Sequence, residues 1–314
     1  MDKPYILGIG AVNIDIMGRS RAPVIPEDSN PGSIGISVGG VTHNICENAA
    51  KMGAEVKLIT ALGDDLFGAA AREHCQGNGI DTRYFYLVKG HTSSIYLSIH
   101  QPDGDMAVAL SDMSVLQQLP LEYLELHRPL LEGAAAIVLD AGLPQGVLDH
   151  LSRGFGDKTP LFVDPVSTTY ARKLAGSLAG IHTVKPNLLE AQILAGMEIH
   201  TPQDLDRAAG RILDKGAQRL FVSMGREGVY YADRQGARRH ARGKPLDQVV
   251  NATGAGDAFM AGLLYSFLRD FSLDRTLDFA MASSVVAISH QATINPDMSA
   301  SLVEETIRQM KRAE

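Results

Sequence analysis

The chain has 314 residues, 45% of them hydrophobic, and a formal charge of −7 from 29 Lys and Arg against 36 Asp and Glu. That balance argues against a broad nucleic-acid-binding face, and two cysteines, Cys46 and Cys75, are too few for a disulfide framework or a cysteine-rich zinc site. No apolar run approaches the roughly 18 residues a membrane span needs, and no basic region with a cleavage site opens the chain, so the expectation is a cytoplasmic protein without membrane or nucleic-acid partners.

Tyr5–Gly10 is a short apolar run suited to a buried parallel strand. It closes in Gly8-x-Gly10-x-x-Asn13, which superficially matches a dinucleotide fingerprint. The third position is Asn, however, and no helical pattern follows directly. Asn13 and Asp15 alternate with Ile14 and Ile16 and so share one face of an extended segment. They stand just past a strand end, where α/β proteins bind ligands; the plainer reading is a solvated strand end.

Asp28–Gly32 is a turn cluster, followed by the alternating Ile34, Ile36 and Val38. Gly39-Gly40 opens a helix over Val41–Met52 with Asn44 on its first turns. His43 and Cys46 lie on that helix without a further ligand at metal spacing, and they read as helix packing. A strand over Glu55–Gly63 and a helix over Leu66–Gly77 follow, then an antiparallel-looking section of Tyr84–Val88, Ser94–His100 and Met106–Leu110. Strand-then-helix units recur from Ala136–Asp140, Leu161–Asp164, Thr183–Lys185 and Leu220–Ser223, the signature of a doubly wound parallel sheet. Gly228–Ala232 reads as another strand, Arg238-Arg239-His240 with Arg242 as a basic cluster on a loop, and the chain from Gly254 as almost wholly helical. The expected organisation is an α/β body over 1–16, 38–92 and 113–314 and a small antiparallel β lid over 17–37 and 93–112.

The stretch Asn251–Gly262 carries the chemistry best. Thr253-Gly254-Ala255-Gly256 is a turn of small residues entering an apolar helix, with Asp257 in its first turn. Amides at a helix start are unpaired and attract phosphate, and glycines admit a ligand close to the backbone. Asp257 either satisfies the helix N-terminus or touches a substrate hydroxyl while the amides hold a phosphoryl group.

Gly39-Gly40-Val-Thr-His-Asn44 and Thr253-Gly-Ala-Gly-Asp-Ala-Phe259 resemble the two signatures of the ribokinase family of sugar and nucleoside kinases. Lys185-Pro-Asn187-x-x-Glu190 and Ser223-Met-Gly225-x-x-Gly228 resemble that family's interior motifs in the same order, so the resemblance covers essentially the whole chain. It implies a ribokinase-like, mostly parallel sheet flanked by helices with a small antiparallel β lid, and transfer of the ATP γ-phosphoryl group to a primary alcohol. By the same resemblance Asp257 is the general base, and the amides of Gly254, Ala255, Gly256 and Asp257 form an anion hole. Asn187 and Glu190 organise Mg²⁺ largely through water, joined by Asp164. Lys185, Asn187, Ser223, Gly225, Gly228 and Thr253 match nucleotide-side positions, and the late helix over Phe279–His290 is expected to supply adenine-pocket surface. Many members carry Asp then Thr where this chain has Asn251-Ala252; for a potassium ion, Asn can coordinate through its carbonyl oxygen but brings no charge.

On the acceptor side Asn13, Asp15, Gly39, Gly40 and Asn44 match positions that grip ring hydroxyls. Asp28–Gly32, Thr92–Ser98, Ser111–Met113 and Val163–Ser167 resemble the pseudouridine kinases of the family, which implies phosphorylation of the pseudouridine 5′-hydroxyl with Asn30, Ser93 and Asp112 near the base. The alternatives are a kinase for another nucleoside or a free sugar of the ribose, adenosine or fructose type, and a ligand-binding protein without chemistry. Exposed edges of the lid sheet invite pairing, so a homodimer through the lid is expected.

Overall fold

Val, Ile and Leu dominate the strands that were expected to be buried, and in the structure they face apolar layers on both sides. This computed structural model describes residues 3–243 and 250–312; residues 1–2, 244–249 and 313–314 of the expected α/β body lie outside the described residues. The strands are β1 (Tyr5–Ile9), β2 (Asn13–Ser20), β3 (Gly32–Gly39), β4 (Glu55–Gly63), β5 (Ile80–Asp81), β6 (Phe85–Val88), β7 (Ile95–His100), β8 (Met106–Asp112), β9 (Ala136–Asp140), β10 (Leu161–Asp164), β11 (Thr183–Val184), β12 (Arg219–Ser223), β13 (Val229–Asp233) and β14 (Arg238–Ala241).

A ten-stranded sheet runs β14-β13-β12-β11-β10-β9-β1-β4-β5, with β6 also on β4. It is parallel from β12 to β5, and among the described residues only β13 and β14 run antiparallel. Side chains alternate along its strands: Leu7, Ile9, Ile137 and Leu139 enter one apolar layer, and Ile6, Ala136 and Val138 enter the other. Each fully buried Leu or Ile in these layers contributes about 1.5–3 kcal/mol. The second sheet, β3-β2-β7-β8, has two antiparallel pairings around a central parallel one.

Two expectations are corrected here. The segment Tyr84–Val88, read as part of an antiparallel section, is not antiparallel; Phe85–Val88 runs parallel to the second half of β4, with Thr60 opposite Phe85. Nine-residue β4 outreaches its neighbour β5, which pairs only at Val56 and Lys57, so its free half takes another strand. Arg238–His240 is not a loop but the edge strand β14. Charged side chains on both faces conceal an edge strand from a pattern search, and they also protect its free edge.

Two helices follow the first strands of the body, α1 (Val41–Lys51) and α2 (Leu66–Gly77). The Ala255–Leu268 helix packs on the Leu273–Ile288 helix, where Gly262 lets the backbones close: a Cβ there would lie 2.7 Å from Ala280 Cα. Tyr265 stacks on Phe279 at 4.8 Å in the same seam. The Ala255–Leu268 helix also packs against α1, which brings the two glycine-opened helix starts together.

Candidate active site

Parallel strands end on one side of the sheet, and their last residues carry the charged groups. Asp140 closes β9 and Asp164 closes β10, their Cα atoms paired in register. Lys185 follows β11, and Asn187 forms a parallel bridge with Ser223 at the end of β12. Lys185 Nζ lies 3.0 Å from Asp164 Oδ2, with both side chains almost fully buried. Burial works against the charge on Lys185, but the Asp164 carboxylate offsets it and holds the ammonium above its ordinary value.

Asp257 stands in the first turn of the Ala255–Leu268 helix. Gly254 before it has φ +83°, and a side chain there would collide with the Thr293 carbonyl oxygen, so this start requires glycine. The first amides of the helix have no intrahelical acceptor, and Lys185 Nζ lies 3.1 Å from where a Gly256 Cβ would be. Fixed positive potential therefore surrounds this turn. Asn44, from the first turn of α1, donates its Nδ2 to Asp257 Oδ2 at 2.8 Å. Burial raises the Asp257 pKa to about 7, helped by the Asp164 and Asp140 charges and opposed by the Asn44 bond and the Lys185 charge. A carboxylate that is half protonated near neutrality suits a general base.

On the acceptor side, Asn13 Nδ2 donates to Asp15 Oδ1 at 2.6 Å. Burial pushes the Asp15 carboxyl up, against the Asn13 bond and the nearby His43. A side chain on Gly39 would collide with Asp15 Oδ2, and Gly40, at φ +105°, caps α1 over the Ala11 carbonyl. Asn13, Asp15, Gly39, Gly40 and Asn44 thus form one neighbourhood with Asp257.

The remaining acceptor-side residues each bond to their own surroundings. Asn30 accepts from Ile25 N and donates to the Ile25 and Asp28 carbonyls, bracing its own loop. Ser93 is buried; its Oγ donates to Asp65 Oδ1 and accepts from Gly63 N, fastening the start of α2. Asp112 is exposed at the end of β8 and accepts from Ser114 N.

Asn187 and Glu190 form a reciprocal capping box, Oδ1 accepting from Glu190 N and Oε2 from Asn187 N, each at 2.9 Å. Burial raises the Glu190 carboxyl, and its second oxygen takes no part in the cap. Gly225 and Gly228, at φ +58° and +96°, shape the turn after Ser223. Asn251 accepts from Thr253 N and donates to the Gln291 carbonyl, so its side chain fastens the turn before Gly254. In the basic cluster, Arg238 Nε bonds Asp206 Oδ1 at 3.2 Å.

Sequence reasoning passed over Asp140, Glu47 and His74. Asp140 accepts from Ala11 N, Thr42 Oγ1 and Gly142 N, fixing the Gly10–Ala11 turn to α1. Its place at a parallel strand end, level with Asp164, was the available signal. His43 is not mere packing: its Nε2 lies 3.2 Å from Glu47 Oε2, which also meets His74 Nε2 at 2.8 Å. His74 comes from α2, and no spacing within α1 could have announced it.

The ribokinase-like fold and a family profile matching residues 3–300 place the chain in the pfkB family of carbohydrate kinases, and it belongs to that family as an enzyme that transfers a phosphoryl group to an alcohol. It is 36% identical over 299 residues to pseudouridine kinase of Escherichia coli (strain K12), covering 95% of each protein. Identity to guanosine-inosine kinase of Exiguobacterium acetylicum is 28% over 295 residues, 92% of this chain and 96% of that one. Arabidopsis thaliana ribokinase, solved with ribose and ATP, superposes with a TM-score of 0.87 at 21% identity over 98% of this chain and 99% of that one, a likeness of fold.

Proposed function

We propose that this enzyme transfers the γ-phosphoryl group of ATP to the 5′-hydroxyl of pseudouridine. The observation that carries the reading is Asp257, a carboxyl with a pKa near 7, set among the amides of a glycine-opened helix and tied to Asn44. Similarity to a pseudouridine kinase supports the choice of acceptor.

In this mechanism Asn13, Asp15 and the Gly39-Gly40 backbone hold ribose hydroxyls, and Asp257 accepts the 5′-hydroxyl proton as the new O–P bond forms. The bond between the β-γ bridging oxygen and the γ-phosphorus of ATP breaks, and ADP leaves. Amides of Gly254 to Asp257, with Lys185 beneath them, stabilise charge spread over the transferring oxygens. An alcohol is a very weak acid, so positioning and this electrostatic stabilisation supply most of the acceleration.

Magnesium suits the oxygen donors at Asn187, Glu190 and Asp164, since it binds through one or two carboxylates and keeps several of its waters. Glu190 retains one oxygen outside its cap, which fits a water-mediated role. When bound, the ion would neutralise phosphate charge. The small sheet acts as a lid that excludes water. Ile34 and Ile36 on β3 and Val108 and Leu110 on β8 are exposed on its two outer strands, supporting a homodimer formed there.

The test is ADP release from the purified enzyme with pseudouridine, uridine, guanosine, inosine, adenosine, ribose and fructose, with the product's phosphate position read by NMR. Pseudouridine should give the highest kcat/KM and a 5′-phosphate. Faster turnover of another nucleoside or of ribose would overturn the acceptor assignment.

A further inference from the structure

Behind the acceptor site, three ligand atoms converge from two helices. His43 and Glu47 stand one turn apart on α1, and His74 enters from the last turn of α2. His43 Nε2 and His74 Nε2 lie 3.2 and 2.8 Å from the same oxygen, Glu47 Oε2. All three atoms fall within 4.8 Å of one another, as around one small ion.

Hydrogen bonding leaves one of these three atoms unsatisfied. Asn44 donates through Nδ2 to Asp257, so its Oδ1, facing His43 Nδ1 at 3.2 Å, needs a donor. His43 is fully buried, and its Nε2 is a buried atom with no hydrogen-bond partner among the described residues. Lys51 approaches only the other side of the carboxylate, 3.7 Å from Oε1. His74 is part exposed and opens the cluster to solvent.

We propose that His43, Glu47 and His74 bind a divalent transition-metal ion of the zinc type, with water in the fourth position. Two imidazole nitrogens and one carboxylate form a zinc donor set, and imidazole selects against magnesium and calcium. A ligating histidine commonly gives its other N–H to a carbonyl oxygen, and here that acceptor is Asn44. The ion would clamp α1 to α2 and orient the amide that bonds Asp257.

The experiment is a Co²⁺ titration of the chelator-treated full chain without nucleotide or acceptor, read by visible d–d absorption and by Zn²⁺ displacement. The wild type should bind a single Co²⁺ that Zn²⁺ displaces. His74→Ala, at a part-exposed position, and Glu47→Gln should each weaken binding by at least about 100-fold, beyond the loss typical of an outer partner. Glu190→Gln should bind as the wild type does. No Co²⁺ signal in the wild type, or equal binding in His74→Ala, overturns the site, as does binding lost only in Glu190→Gln. None of these readouts depends on which alcohol the enzyme phosphorylates.

Discussion

Asn44 Nδ2 and Asp257 Oδ2, 213 residues apart in sequence, meet at 2.8 Å and join the first turns of two helices. The bond stabilises the ionised carboxylate, while burial and the Asp164 charge work the other way. The balance of these effects sets where the base titrates, and it makes the site open to test.

Asp257 must be ionised to accept a proton. With its pKa at about 7, kcat/KM should fall about tenfold for each pH unit below neutrality. Asn44→Ala removes a contact that favours the charged form and should move this acid limb to higher pH. Asp164→Asn removes a repelling charge and should move it lower. A limb that stays in place in both variants would assign the titration to another group.

Asp257→Asn should lower kcat by about 10²–10⁴-fold while acceptor binding persists, measured by steady-state kinetics and calorimetry. It should also stabilise the fold. A carboxyl raised from 3.8 to about 7 keeps its proton in the folded state where the unfolded chain has released it, so its contribution falls as pH rises across that window. The uncharged Asn escapes this loss. Allowing for partial exposure, denaturation at about pH 8 should show a gain of about 2 kcal/mol, absent below about pH 4.

Lys185→Met should destabilise the protein by about 3–5 kcal/mol, because Asp164 would remain buried without its partner. The double variant Lys185→Met, Asp164→Asn should recover much of that stability in urea unfolding, but not turnover, since the positive charge beneath Gly256 is gone.

Gly39→Ala should raise the acceptor KM by about tenfold, equivalent to about 1.4 kcal/mol, with a smaller change in the KM for ATP. The new methyl group would displace the Asp15 carboxylate from its place beside Asn13. Equal changes in both KM values would show a general distortion instead.

Glu190→Gln keeps an acceptor for the helix cap but loses charge. It should raise the Mg²⁺ concentration needed for half-maximal rate by about tenfold and leave thermal stability nearly unchanged. A fall in stability without a change in Mg²⁺ dependence would leave Glu190 as a cap alone.

Much of this protein is written in local patterns. The Gly39-Gly40 and Gly254–Gly256 starts, the Asn187–Glu190 box and the apolar parallel strands each depend on residues a few positions apart, because backbone conformation and helix capping are short-range. The helix over Leu66–Gly77 and the strand over Glu55–Gly63 have the limits their residues predict. What a side chain touches across the fold is a different matter. Asn30, Ser93 and Asp112 have polar groups suited to a ligand, and the bonds by which they also brace a loop, the start of α2 and the turn after β8 could not be read from their local sequence. Asp140 becomes a support for Ala11 and Thr42 only when β9 lies beside β1. The bond from Asn44 to Asp257, the raised pKa it moderates and the meeting of His43, Glu47 and His74 exist only where α1 packs against its neighbours. Sequence thus determined the elements and the chemical groups they offer, through interactions within a turn or two. Tertiary packing alone decided which of those groups share a low-dielectric space, and so which are bound, buried or left reactive.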